Sequence, residues 1–121
     1  MTDRWLSTHV LDTSRGRPAA GVAVRLVRLA PDGPAPVAEA TTNADGRTDE
    51  PLLADAALAS GTYEATFALG AYFAGLGVGA DPDGHRFLDE VPVRFAIGDA
   101  DRHVHLALLA TPWSYTTYKG S

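Results

Sequence analysis

The feature that most constrains the fold is a repeated alternation of apolar and polar residues in short runs, separated by glycine, proline, aspartate and asparagine. Successive side chains of a strand point to opposite faces, so a period of two predicts strands that bury one face. The predicted strands cover residues 5–10, 22–29, 37–42, 62–69, 91–97, 103–110 and 113–118. Roughly seven or eight short strands predict an all-β sandwich, because two sheets must cover each other's apolar faces.

The segments between these runs predict turns and one short helix. Residues 30–36 hold three prolines and a glycine, which indicates a surface loop. The Asn-Ala-Asp-Gly sequence at 43–46 predicts a tight turn that delivers Arg47. The apolar spacing between residues 70 and 79 predicts one or two helical turns, which the glycines keep short. Pro92 indicates that the strand over 91–97 begins there or lies at a sheet edge.

The composition sets limits on size and partners. A chain of 121 residues that is 45% hydrophobic predicts a single domain over residues 1–121 with one core. The net charge is -5 and the basic residues are scattered, which argues against nucleic acid as a partner. There is no cysteine to form a disulfide, a thiolate metal site or a nucleophile. Without a signal-like start or a stretch of roughly 20 apolar residues, we expect a cytoplasmic protein that does not contact a membrane.

The strand predicted over residues 103–110 separates polar from apolar side chains. His103 and His105 project from one face, while Val104, Leu106 and Leu108 project from the other. Two neighbouring imidazoles can act as acid and base near neutral pH, can bind a metal, or can be a solvated pair. A zinc ion requires three or four protein ligands, so we predict no metal and no cofactor.

Two further residues become informative only in combination. His9 follows Ser7 and Thr8 late in the first strand, where a histidine is more often structural than catalytic. Arg47 is by position an ordinary surface charge, although its planar fork suits the oxygen and nitrogen acceptors of a flat heterocycle. No serine has an obvious base close to it in the sequence.

Four segments together resemble one family. They are Ser7-Thr8-His9-Val10-Leu11-Asp12, Thr42-Asn43-Ala44-Asp45-Gly46-Arg47-Thr48, Gly70-Ala71-Tyr72-Phe73, and His103-Val104-His105-Leu106 through Tyr118-Lys119-Gly120-Ser121. Their order is similar to that of the 5-hydroxyisourate hydrolases, the enzymatic relatives of transthyretin, whose chains end in Tyr-Arg-Gly-Ser. Lys119 departs from that ending, because an ammonium group replaces the planar fork of the family's arginine.

The resemblance implies a transthyretin-like (prealbumin-like) β-sandwich that forms a homotetramer, with the sites between dimers. It implies hydrolysis of 5-hydroxyisourate to 2-oxo-4-hydroxy-4-carboxy-5-ureidoimidazoline in urate and purine catabolism. The matching positions are His9, Arg47 and His105 for catalysis, and Tyr118, Ser121 and His103 for substrate binding, with His103 ranked below His105. Which histidine is the base stays open. The alternatives are a transthyretin-like protein that binds a small molecule without transforming it, and a structural β-sandwich module.

Overall fold

The computed structural model describes residues 3–120, which form two β-sheets around one hydrophobic core. The predicted all-β sandwich with one short α-helix is therefore confirmed. Its strands are β1 (Trp5–Asp12), β2 (Arg17–Pro18), β3 (Ala23–Ala30), β4 (Gly33–Thr41), β5 (Leu53–Ala54), β6 (Gly61–Ala68), β7 (Glu90–Ile97), β8 (His103–Ala110) and β9 (Tyr115–Gly120). The helix α1 spans Leu69–Leu76, and a 3-10 turn spans Asp55–Ala57.

The first sheet has the strand order β2-β1-β8-β9, and β5 pairs with the start of β1. Its centre is a parallel pair, β1 and β8, whose register runs from Trp5 opposite His103 to Asp12 opposite Ala110. β9 returns antiparallel to β8 and forms an edge of this sheet. The second sheet has the order β4-β3-β6-β7, and all of its pairs are antiparallel.

The alternation predicted from the sequence determines which side of the first sheet meets the core. On β1 the apolar side chains of Leu6 and Val10 are fully buried, and on β8 those of Val104, Leu106 and Leu108 are buried. The second sheet contributes its own inward side chains, and α1 adds two more to the same core. Thr8 and Asp12 of β1 also face inward and are buried, whereas the alternate residues of β1 and β8 lie on the outward face of the first sheet.

The prediction of a surface loop over residues 30–36 is wrong beyond Asp32. β4 already begins at Gly33 and pairs with β3, so only a tight turn separates the two strands. Pro34 and Pro36 fit into this strand because β4 lies at the sheet edge, where a missing backbone N–H costs little. A shift of register between Leu26 and Val27 adjoins the second proline.

The helix and the proline-containing strand agree with the sequence. α1 begins within one residue of the predicted start and ends at Leu76. The following Gly77 has a φ of 71°, the left-handed conformation that glycine adopts at helix ends. β7, which contains Pro92, is an edge strand as predicted. Among the described residues 3–120, no helix is both long and apolar enough to cross a membrane.

Candidate active site on the outward face of the first sheet

The outward face of β1, β8 and β9 carries three rows of paired residues. Trp5 lies opposite His103, Ser7 lies opposite His105, and His9 lies opposite Ala107. β9 extends the second row with Gly120, opposite His105, and the third row with Tyr118, opposite Ala107. Because paired residues share a face, the register places the predicted residues His9, His103, His105 and Tyr118 on one side of the sheet.

His9 and Arg47 are brought together by the Asn43–Gly46 turn. Asn43 closes this turn, since its side-chain oxygen accepts the backbone N–H groups of Asp45 at 2.9 Å and Arg47 at 3.2 Å. The turn is then joined to β1 by a bridge between His9 and Arg47 and by the N–H of Val10, which donates to the Gly46 carbonyl at 2.8 Å. The predicted turn is confirmed, and it delivers Arg47 beside the first strand.

Gly46 is required at this turn for two reasons. Its φ is +76°, a conformation that favours glycine, and a Cβ there would overlap the carbonyl oxygen of Val10. The Arg47 side chain follows directly and is exposed on the surface. The turn therefore fixes the backbone of Arg47, and the exposed guanidinium can contact a ligand.

The imidazole of His9 is held by a backbone carbonyl. Its Nε2 lies 2.9 Å from the carbonyl oxygen of Asp45, and since a carbonyl only accepts, Nε2 must carry the proton. The ring centroid of His9 lies 6.3 Å from that of His105, with the planes inclined by 52°. Two imidazoles at this separation can act on opposite sides of one small substrate.

The ring of His105 is hydrogen-bonded on one side and closely packed on the other. The Oγ of Ser7 lies 2.7 Å from its Nδ1. On the other side lies Gly120, where an added Cβ would stand 2.5 Å from His105 Cδ2. Burial is the main cause that lowers the pKa of His105 below its ordinary value of 6.5, and the positive charges of Arg47 and His9 lower it further. The ring is thus kept neutral near pH 7, as a general base requires.

His103 lies at the margin of this group. Its ring stacks on the indole of Trp5 with centroids 3.6 Å apart and planes inclined by 20°. The imidazole is exposed, whereas that of His105 is partly buried. No role for Trp5 is predicted from the sequence. Trp5, Ser7 and His9 occupy alternate positions of β1, and this spacing places Trp5 on the same face as the other two.

The terminal segment divides between the two faces of β9. Tyr118 lies on the histidine side and is 54% exposed. Lys119 pairs with Leu106, so it lies on the opposite face, where its ammonium group is 3.5 Å from the carboxylate of Asp101. The substitution of the family's arginine therefore falls away from the histidine pair. Ser121, which was predicted to bind substrate, lies outside the described residues.

The recess beside Arg47 is small. A recess of about 160 Å³ lies between β1 and the segment after Arg47, and Trp5, Ser7 and Pro51 are among its lining residues. Ligand pockets that enclose a small molecule commonly have volumes of about 300 Å³ or more. The groups on this face can contact a substrate, but this recess does not surround one.

A separate group of potential metal ligands lies in the loop between α1 and β7. One ligand atom from each of Asp81, Asp83 and His85 lies within 4.8 Å of the others, and all three residues are exposed. The Asp81 carboxylate accepts the backbone N–H groups of Asp83 and His85 at 2.9 Å each. The hydrogen bonds of the turn account for this grouping.

Fold and site together define a transthyretin-like β-sandwich with two histidines and an arginine on the outward face of one sheet. The model of the HIUase/Transthyretin family matches residues 6–120. The chain belongs to this family, so the resemblance predicted from the sequence is confirmed.

Three known proteins illustrate the likeness. A 5-hydroxyisourate hydrolase of Deinococcus radiodurans is 55% identical over 96% of this chain and 95% of the relative. The crystal structure of (S)-allantoin synthase has a TM-score of 0.90 and 43% identity over 98% of this chain, which spans only 44% of that longer chain. Sea bream transthyretin, solved with thyroxine, has a TM-score of 0.84 and 30% identity over 95% of this chain and 93% of its own.

Proposed function

We propose that this chain hydrolyses 5-hydroxyisourate to 2-oxo-4-hydroxy-4-carboxy-5-ureidoimidazoline, the step that follows urate oxidation in purine catabolism. The name of the Deinococcus radiodurans relative supports this substrate. The observation that carries the proposal is the pair of imidazoles of His9 and His105, 6.3 Å apart, with Arg47 bridged to the strand of His9. Hydrolysis of a cyclic amide needs a base for water, an acid for the departing nitrogen and a cation for the carbonyl oxygen.

In this proposal His105 is the base. Its lowered pKa leaves the ring neutral, and Nε2 is the nitrogen not engaged by Ser7. Nε2 takes a proton from water as the water oxygen bonds to the amide carbon, and the carbonyl electron pair moves to its oxygen. Arg47 stabilises that developing negative charge. Collapse of the intermediate restores the carbonyl and breaks the carbon–nitrogen bond.

His9 is then the acid that protonates the departing nitrogen. Its Nε2–H is committed to the carbonyl of Asp45, so Nδ1 is the nitrogen left for the substrate. In the acid role the ring is the imidazolium, which gives up the proton on Nδ1 and keeps the one on Nε2. After product release His105 gives its proton to solvent and Nδ1 of His9 takes one from solvent, so both rings are restored.

We also propose that the active unit is the homotetramer and that a second subunit completes each site. The small recess beside Arg47 and the exposed Tyr118 support this arrangement. Light scattering should give four times the protomer mass of 12.7 kDa at assay concentration. An active monomer would contradict the proposal. The cytoplasmic location stays a prediction from the sequence.

The activity is tested by generating 5-hydroxyisourate from urate with urate oxidase and following its ultraviolet absorbance. The protein should accelerate the decay, and His105→Ala should remove about 10²- to 10⁴-fold of that acceleration, the usual contribution of a general base. His85→Ala is the matched control, since this exposed loop histidine lies outside the proposed site. Failure of the wild-type protein to accelerate the decay would refute the hydrolase assignment.

The second candidate is a small-molecule binding protein that leaves its ligand unchanged. The structural likeness to transthyretin in complex with thyroxine favours it over the structural module. Calorimetric titration with thyroxine, run beside the hydrolase assay, separates the two functions. Tight binding without any turnover of 5-hydroxyisourate would favour the binding protein.

A further inference from the structure

The proposed mechanism uses the pairing of Ser7 with His105 only to identify the free ring nitrogen, and it gives Ser7 itself no part in the reaction. Ser7 lies on β1 and His105 on β8, 98 residues further along the chain, and the parallel register places them directly opposite each other. Both are partly buried, and Ser7 Oγ lies 2.7 Å from His105 Nδ1. This distance is that of a good hydrogen bond between a hydroxyl and a ring nitrogen.

We infer that Ser7 is a positioning residue that occupies Nδ1 of His105 and so presents Nε2 as the only ring nitrogen available for the reaction. This inference rests on the proposed function, because it deepens the role assigned to His105. In the base role Nε2 has a lone pair, so Nδ1 carries the hydrogen and donates it to the Ser7 oxygen. When Nε2 takes a proton from water, the Nδ1–H bond to Ser7 remains in place.

The Ser7 hydroxyl carries no charge, unlike a carboxylate in the same place. An ionised carboxylate beside His105 would stabilise the imidazolium and oppose the effects of burial, Arg47 and His9. A serine adds no charge, so it can fix the tautomer while the ring stays neutral. The pair of histidines is therefore held by two uncharged oxygens, the Ser7 hydroxyl and the Asp45 carbonyl.

Gly120 limits the space available to the His105 ring. It faces His105 across the β8–β9 ladder, and its missing side chain leaves only enough space for the ring edge at Cδ2. A half-turn of the ring would exchange Nδ1 and Cδ2, breaking the bond to Ser7 and turning Nδ1 toward Gly120. The serine bond therefore selects one of two ring orientations that have the same shape.

The experiment compares Ser7→Ala with Ser7→Thr in the full chain. Alanine should lower kcat by about 10-fold with little change in KM, because the base is disordered while the substrate contacts remain. Threonine should restore most of kcat, since it returns the hydroxyl. In ¹⁵N spectra of histidine-labelled protein, His105 should show a protonated Nδ1 in the wild type and in Ser7→Thr. In Ser7→Ala this signature should be lost or shared between the two nitrogens.

Three outcomes would overturn the inference. One is a Ser7→Ala variant with wild-type kcat, and another is an unchanged Nδ1 signature in that variant. The third is a covalent adduct on Ser7, found by mass spectrometry in rapidly quenched wild-type reactions, which would make Ser7 a nucleophile. If the wild type does not turn over the substrate at all, the proposed function fails, and the ¹⁵N spectra still decide whether Ser7 sets the tautomer.

Discussion

Replacement of Gly120 by alanine should impair turnover through a steric displacement of His105. An added Cβ would stand 2.5 Å from Cδ2, 3.2 Å from Cγ and 3.3 Å from Cβ of that histidine. Carbon atoms in ordinary contact are about 3.5–4.0 Å apart, so the ring or the end of β9 must move by about 1 Å. A displacement of about 1 Å in a reacting group can cost about 10²-fold in rate. We therefore expect kcat to fall by about this factor.

The assay is the accelerated decay of 5-hydroxyisourate, measured beside the melting temperature of the same preparation. Gly75→Ala is the matched control, because a Cβ at this exposed position in α1 meets nothing within 4 Å. Alanine inside a helix should raise stability by about 0.5–1 kcal/mol and leave turnover unchanged. If Gly120→Ala turns over substrate at the wild-type rate while remaining folded, the glycine does not confine the ring and the reasoning is refuted.

Four further predictions concern the electrostatics and the frame of the site. The rate should fall on acidification with an apparent pKa below 6.5, because His105 must be neutral to accept a proton; a midpoint above 6.5 in a pH–rate profile would contradict this. Arg47→Gln should move that midpoint toward higher pH, since it removes a positive charge that lowers the pKa of His105, and an unmoved midpoint in the same profile would exclude that influence. Gly46→Ala should lower the free energy of unfolding in urea by about 1–3 kcal/mol through backbone strain at a φ of +76°, and an unchanged midpoint of denaturation would oppose this. Tyr72→Phe should lower the free energy of unfolding by about 1.5–3 kcal/mol, because the phenol donates at 2.8 Å to the buried carboxylate of Asp12. Turnover of the substrate serves as the control and should be unchanged in this variant.

The sequence predicted the sandwich well because alternation has a direct physical cause. A strand with one face in the core must repeat every two residues, and β1, β6 and β7 show that repeat in their burial. β8 shows it except at Ala107, which is buried on the outward side. β2 and β5 were not predicted, since two residues are too few to carry a period. The prediction of a loop over 30–36 is wrong because proline disrupts strands inside a sheet but is tolerated in an edge strand such as β4.

Only part of the candidate site could be predicted from the sequence. His9, Arg47 and His105 were named from the family resemblance, and the structure brings them together on the outward face of β1 and β8 and the turn beside it. The partnership of Ser7 with His105 could not be found in the sequence, because nothing local to either residue reveals a parallel pairing across 98 positions. Lys119 departs from the family's ending, and alternation along β9 turns it away from the histidine face toward Asp101.

The geometry of the site depends on the register between β1 and β8, and the core fixes that register. A slip by one residue would turn Leu6 and Val10 outward and bury His9, which the apolar core forbids. A slip by two would preserve the faces and yet place Ser7 opposite a different residue. Against this two-residue slip, the hydroxyl of Thr8 on β1 donates to the Leu106 carbonyl of β8 at 2.7 Å, and the N–H of Thr13 donates to the Ala110 carbonyl at 3.0 Å. Hydrogen bonds across the β1–β8 pair thus contribute to the distance between a serine and a histidine on the outward face.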